Sequence, residues 1–286
     1  MDLCDSNEIK RLLGQNGFRF SKSMGQNFLT AAWVPERIAE VSDLDEHTGV
    51  LEVGPGIGCL TAQLAQRAER VVSVELDRKL APLLGVTLAD YPNVELVFGD
   101  ALKMNFPALC AEKMPGLRPV VCANLPYNIT SPLISAFLEA GCFQTMTLMV
   151  QREVARRICA RAGTADYGAF SVYVQWYAET EICFDVPPDC FLPQPKVTSS
   201  VLKLTARRQP PTEVRDEKCF FALVRAAFGQ RRKMLQNAVS AGLPGLTKAR
   251  AAAALLECGL DERVRGEQLS LEQFAQLSNK LAELSE

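Results

Sequence analysis

Histidine is almost absent from this chain: 286 residues contain one, His47, in the polar stretch DLDEHTG ahead of a strand-like run. That argues against a zinc enzyme with Cys/His spacing. It argues equally against a serine or cysteine hydrolase, which needs an imidazole base, unless His47 itself serves. Ten cysteines are present, but no two form a CxxC pair. Scattered along a chain of this length, they read as reduced, mostly buried thiols of a cytoplasmic protein and not as a disulfide framework. The opening MDLCDSNEIKRLLGQNG has no continuous apolar stretch, so no signal peptide is expected. No apolar run approaches the ~20 residues of a membrane span, so no membrane partner is expected either.

Charge is nearly balanced, at −2 overall, which gives no global attraction to nucleic acid. The distribution is uneven. Between Lys196 and Lys233 stand ten Lys/Arg and only three acids, so the remainder is distinctly acidic. A local basic zone can still neutralise phosphates, because only charges near the contact act strongly. A solvated helix face carrying lysines would look the same.

What is present points to two domains. GVLEVG (49–54), RVVSVE (70–75), NVELVF (93–98), PVVCAN (119–124) and TMTLMV (145–150) are short, nearly continuous apolar runs, as expected of strands buried on both faces. Helical periodicity lies between them, in LTAQLAQRAE (60–69), DRKLAPLLGVTLAD (77–90) and TSPLISAFLEAG (130–141), with a fourth helix in REVARRICARAG (152–163). Asp77 is placed as an N-cap. Strands alternating with helices predict an α/β domain with a parallel, Rossmann-like sheet. Residues 169–186 and 197–206 read as further extended chain. The polar, Pro-rich RRQPPTEVRD (207–216) reads as a linker, and the rest as helices, with CFFALVRAAFGQRRKMLQNAVSAG one of the helical stretches. The expected division is 1–206 and a small helical domain over 212–286.

The first strand feeds LEVGPGIGCL (51–60), with glycines at 54, 56 and 58. Glycines there let backbone approach a ligand closely. The dinucleotide fingerprint G-x-G-x-x-G would need glycine at 59, where Cys59 stands, so an NAD dehydrogenase is disfavoured. Glu75 closes the second strand, 21 positions after Gly54, where a carboxylate can accept both hydroxyls of a ribose. Asp100 closes the third and could accept from an adenine amino group. Asn124 closes the fourth. Open α/β sheets bind ligands along this edge.

Together these features resemble the class I S-adenosylmethionine-dependent methyltransferases. By that resemblance Gly54 and Gly56 accommodate the methionine part, Glu75 the ribose and Asp100 the adenine. Asn124-Leu125-Pro126-Tyr127 matches the [ND]-x-P-[YF] signature of amino-methylating members. The chemistry suits it. An adenine N6 is a poor nucleophile because its lone pair is delocalised into the ring. The Asn124 side-chain oxygen and a backbone carbonyl near Pro126 can accept hydrogen bonds from the amino group and aim that lone pair, and placement then contributes much of the catalysis. Tyr127 would stack on a base that has left its helix or loop.

SKSMGQNFLT (21–30), FLPQPKVTSSVLKL (191–204) and FGQRRKMLQN (228–237), with NLPYNI, narrow the resemblance to the ribosomal RNA adenine N6,N6-dimethyltransferases, most nearly the bacterial 16S members. The match runs in order along most of the chain. It implies that Asn27 and Leu29 belong to a segment folded over the cofactor, and that Phe191 is a second aromatic at the target base. Arg231, Arg232 and Lys233, on one amphipathic helix with Phe228 and Leu235 inward, would reach RNA phosphates. The implied cofactor is S-adenosyl-L-methionine and no metal. The implied partner is 16S rRNA in the small ribosomal subunit or its precursor, bound by a monomer. The implied reaction is dimethylation of two adjacent adenosines in the hairpin near the 16S 3′ end. Two alternatives stay open: a 23S rRNA adenine N6-methyltransferase of the macrolide-resistance type, and a small-subunit assembly checkpoint with methylation secondary.

Overall fold

The structure is a computed structural model and describes residues 3–15 and 27–283. The Gly25-Gln26 half of the Gly-Gln-Asn-Phe-Leu string lies outside the described residues. By its packing the chain divides into two units. One comprises Met1–Ala155 with Thr180–Ala206, the other Arg156–Glu179 with Arg207–Glu286.

The first unit opens with α1 (Ser6–Gln15), β1 (Phe28–Leu29) and α2 (Trp33–Val41). The α/β alternation follows: β2 (Thr48–Val53), α3 (Cys59–Ala65), β3 (Arg70–Glu75), α4 (Ala81–Thr87), β4 (Val94–Phe98), α5 (Phe106–Lys113), β5 (Arg118–Asn124), α6 (Thr130–Ala140) and β6 (Thr145–Gln151). Next in chain order come α7 (Arg152–Ile158) and α8 (Ala169–Tyr177), the latter in the second unit, and then β7 (Ala178–Val186), β8 (Phe191–Leu192) and β9 (Ser199–Ala206). The seven-stranded sheet has the order β4-β3-β2-β5-β6-β9-β7. β2 to β6 pair parallel, and β9 lies antiparallel to β6, with Ser199 opposite Gln151. A separate two-stranded ladder joins β1 to β8, setting Phe28 opposite Leu192 and Leu29 opposite Phe191.

Local chemistry explains the element ends that matter for the site. β2 is buried along its whole length, as a central strand covered on both faces must be. Asp77 accepts from Lys79 N–H at 3.0 Å and caps a 3-10 turn over Arg78–Leu80, so that Pro82 falls in the first turn of α4, where a missing N–H costs nothing. Gly141, at φ 64°, closes α6.

The second unit contains α8 and the C-terminal helices α9 (Glu217–Gly229), α10 (Leu235–Gly242), α11 (Lys248–Glu257) and α12 (Leu271–Glu283). Two departures from the sequence expectation fall here. The first is α8, where β-branched and aromatic residues suggest a strand. Tertiary packing overrides that preference: Val172 and Trp176 turn into a core with Phe220, Leu223 and Phe274. Hence Arg156–Glu179, which the sequence alone leaves with the α/β domain, packs with the helical unit. The second is a break at residues 230–234, where an unbroken helix is expected. α9 ends at Gly229, and Leu235 N–H, the first of α10, donates to Val264 O at 2.7 Å. Arg231, Arg232 and Lys233 therefore lie in a turn. Leu235 is buried as expected, and Phe228 packs against Tyr167 and Phe274 at ring separations of 5.8 and 5.9 Å.

Candidate active site

Strand order locates the crevice. β2 has β3 on one side and β5 on the other; the chain winds outward through β3 and β4, then returns to β5. Loops leaving the carboxyl ends of β2 and β5 therefore part in opposite directions and leave an opening. A cavity of about 260 Å³ lies there, lined by Gly54 and Gly56 after β2, Glu75 and Asp100 after β3 and β4, and Asn124, Pro126 and Tyr127 after β5. Asn27 and Phe28 line it from the β1 segment. A smaller cavity of about 30 Å³ shares Asn27, Gly54, Gly56 and Asn124 and adds Leu29 and Glu52.

The glycine loop has to be glycine for two reasons. Gly56 holds φ +61°, and a Cβ there would come 3.0 Å from the Phe28 ring. Gly58 holds φ +96°, and a Cβ would meet Leu88 at 2.8 Å. A side chain at either place would strain the backbone and displace a buried neighbour.

Glu75 is 6% exposed at the end of β3 and accepts Asp77 N–H at 2.7 Å. Burial raises its pKa above the usual carboxylate value; the Asp77 N–H opposes this and the Asp77 charge adds to it. Asp100 accepts Leu102 N–H at 3.1 Å, which starts the 3-10 turn Ala101–Lys103. Leu76 and Leu102, 58% and 41% exposed, both line the main cavity. An acid beside an uncovered leucine, repeated at two neighbouring strand ends, offers hydrogen-bond acceptors next to apolar surface suited to a flat heterocycle.

Asn124 is the last residue of β5, and Leu125 N–H donates to Met149 O on β6 at 3.1 Å, which continues the ladder past it. Its Nδ2 donates to the carbonyl of Asn27 at 3.4 Å. The Pro126 carbonyl is already taken by Ile129 N–H at 3.2 Å and Thr130 Oγ1 at 3.1 Å, which use both its lone pairs. The Pro126 carbonyl itself is thus already engaged and is not the open backbone acceptor expected near that residue. Tyr127 is half-buried, and its hydroxyl lies 2.7 Å from Ser199 Oγ. Burial pushes the phenol pKa up, and the Ser199 hydrogen bond opposes that.

Not every expected residue meets this cavity. Leu29 and Phe191 face each other across β1 and β8, each 4% exposed. Leu29 reaches the smaller cavity, while Phe191 lines neither, because its ladder position turns it into the core. Arg231, in the helical unit, donates to the carbonyls of Ala165 and Tyr167 at 2.9 and 3.1 Å and pairs with Glu267 at 3.4 Å. Those contacts tie Arg231 to its own unit although it is exposed, as Arg232 and Lys233 beside it are.

One residue escapes sequence reasoning. Glu52, 1% exposed in the middle of β2, accepts Thr61 Oγ1 at 2.7 Å and Ser73 Oγ at 2.6 Å on the same Oε2. Burial lifts its pKa to about 7, against those two hydroxyls, with the Glu75 charge adding to the rise. Its only signal in the sequence is an acid inside the apolar run VLEVG. Among the described residues no cluster of three or more His, Cys, Asp or Glu could hold a metal ion, and no helix is long and apolar enough to cross a membrane.

Comparison with known proteins places this geometry. The family model described as ribosomal RNA adenine dimethylase matches residues 17–283. A ribosomal RNA small subunit methyltransferase A from Geobacillus kaustophilus is 44% identical over 99% of this chain and 98% of its own length. One of the same name from Alkaliphilus oremlandii is 44% identical over 96% of each. Among solved structures, the 23S rRNA methyltransferase ErmE is 31% identical, with TM-score 0.69, over 89% of this chain and 99% of its own. A dimethyladenosine transferase from Plasmodium falciparum, 24% identical with TM-score 0.73 over 87% of this chain and 95% of its own, shares the fold. On these matches the chain belongs to the ribosomal RNA adenine dimethylase family.

Proposed function

We propose that this protein dimethylates N6 of two adjacent adenosines near the 3′ end of 16S rRNA, using S-adenosyl-L-methionine. The observation that carries the reading is Asn124: an amide at the end of β5, on one cavity with the glycine loop, Glu75 and Tyr127.

The residues present fit the cofactor. Gly54 and Gly56, both at positive φ, line the two cavities with bare backbone, and Glu52 offers a carboxylate to an ammonium in the smaller one. Glu75 would accept from ribose hydroxyls and Asp100 from the adenine amino group, with Leu76 and Leu102 against the ring. When bound, the cofactor supplies a methyl on a sulfonium, an excellent leaving group. The protein's share is placement. Asn124 Oδ1 and the Leu125 carbonyl would accept hydrogen bonds from both N6 protons in the first transfer and share the single remaining N–H in the second; they favour a pyramidal nitrogen and aim its lone pair, and N6 gives up one proton to solvent for each methyl gained. Tyr127 stacks on the flipped base and holds it against the entropy of the free strand. The part we give Phe191 is to hold Leu29, and with it the covering segment, from beneath. Arg232 and Lys233 would meet RNA phosphates from the helical unit. We place the protein in the cytoplasm as a monomer.

The likeness to a 23S rRNA methyltransferase favours a second reading, with the large subunit as substrate. The relatives named for the small subunit are more similar, at 44% against 31% identity, and support the first. Tritiated methyl transfer to purified subunits lacking the modification decides between them. Label on small-subunit RNA as dimethyladenosine is expected; label confined to the large subunit would overturn the reading.

A further inference from the structure

We propose that Ser199 is a positioning residue for the target base, acting through the ring of Tyr127; this rests on the function proposed above. Tyr127 opens the three-residue 3-10 turn Tyr127–Ile129 between β5 and α6. Its ring leaves this turn at Cβ, with χ1 and χ2 as its two torsions. Ser199 supplies the second point. Its Oγ lies 2.7 Å from the phenol oxygen at the opposite end of the ring, so the ring axis from Cβ to Oη is held at both ends and the place of the ring over the cavity is fixed.

Ser199 is well placed to be that anchor. It is fully buried, the first residue of β9, and paired with Gln151 across the β6–β9 ladder. Arg152 N–H donates to Thr198 O at 3.0 Å and ties down the residue just before it. The neighbouring hydroxyl cannot substitute. Successive strand residues point to opposite faces, and Ser200 Oγ is engaged with Asp185 Oδ1 at 2.5 Å on β7. A half-buried phenol and a buried serine hydroxyl that satisfy each other also resist separation, because parting them orphans both. A ring that only filled space would not need this partner. A ring that must present one face to a base, with N6 directed at Asn124, does.

The test is single-turnover methylation of unmodified small subunits by the wild type, Ser199→Ala, Ser199→Thr, Tyr127→Phe and the double variant Ser199→Ala/Tyr127→Phe. Ser199→Ala should slow transfer at saturating subunit by about tenfold or more, since small misplacements at a reacting centre cost that much, with subunit and cofactor affinities within a few-fold. Ser199→Thr, which keeps the hydroxyl, should recover most of the rate. Tyr127→Phe should show the same loss, and the double variant should be no slower than either single one. Losses that multiply in the double variant, or a wild-type rate in Ser199→Ala, would overturn the role of Ser199 while leaving the reaction standing. A wild type that never labels the subunit would overturn both. A rate that Ser199→Thr does not recover, with a lowered melting temperature, would overturn the role and assign Ser199 to packing alone.

Discussion

Asn124 gives its Nδ2 to the carbonyl of Asn27, 97 residues earlier in the chain. A carbonyl can only accept, so this hydrogen bond fixes which way the amide faces. Nδ2 is turned to the covering segment and Oδ1 is left for another donor. The segment is itself held in place: Thr30 N–H donates to Cys190 O at 2.8 Å, and Phe28 and Leu29 pair with β8. On the function proposed above, the acceptor for an exocyclic amine would therefore be oriented before any base arrives, which is where preorganisation contributes to rate.

Glu75→Ala should weaken S-adenosylmethionine binding by about 1.5–3 kcal/mol, the scale of hydrogen bonds to a charged group, and leave RNA binding intact. Burial raises the Glu75 pKa, so the ionised form is lost on acidification sooner than in an ordinary glutamate. Cofactor affinity should fall as the pH is lowered in the wild type, and Glu75→Gln should flatten that dependence. Calorimetry across pH reads both; an unchanged affinity in Glu75→Ala would remove Glu75 from the site.

Glu52 makes a separate, stability-based prediction. Its folded pKa, about 7, lies above the ordinary value of 4.5, so the folded state binds its proton more tightly than the unfolded chain. This group's contribution to stability is full below pH 4.5 and is lost as pH rises to about 7. The loss is on the order of 3 kcal/mol for a shift of this size. Glu52→Gln keeps the shape and cannot ionise, so it should remove that part of the pH dependence. Denaturant melts of the two proteins at pH 5 and pH 8 check it. Parallel curves would mean that Glu52 titrates normally.

Splitting the basic turn separates folding from RNA binding. Arg231→Ala should lower the stability of the helical unit by about 1–2 kcal/mol, because two backbone carbonyls are deprived of a charged donor. Arg232→Ala with Lys233→Ala should leave stability alone and weaken subunit binding. The salt slope should shrink by up to ~0.9 for each phosphate that is no longer neutralised. An unchanged slope would return these two side chains to solvent.

The α/β core was legible because strands buried on both faces leave continuous apolar runs, and the cavity was legible because polar residues at strand ends, Glu75, Asp100 and Asn124, stand out against those runs. Pairings distant in sequence were not legible. Ser199 follows Tyr127 by 72 positions, and nothing local marks a serine in KVTSSV as the partner of a phenol. Glu52 hides because a buried acid among valines looks like an interruption of the run until Thr61 and Ser73 are seen to converge on it. The Ala169–Tyr177 helix misled through composition: Val, Tyr and Trp favour strands in general, and here they pack a helical core. Arg231 misled through its neighbours, since three adjacent cations read as one patch while one of them is already committed to backbone carbonyls.

The central claim is that Asn124 orients the attacking amine, and Asn124→Ala tests it most directly. The variant keeps the cavity, the glycine loop and the β1–β8 ladder that holds the covering segment. S-adenosylmethionine and small-subunit affinities should therefore stay within a few-fold of wild type. The rate of N6 methylation in a single-turnover assay should fall by about 10²–10³-fold, the typical cost of removing one preorganised polar partner of the transition state. A variant that dimethylates the small subunit at near wild-type rate would contradict the account and leave Asn124-Leu125-Pro126-Tyr127 an ordinary turn at the end of a strand.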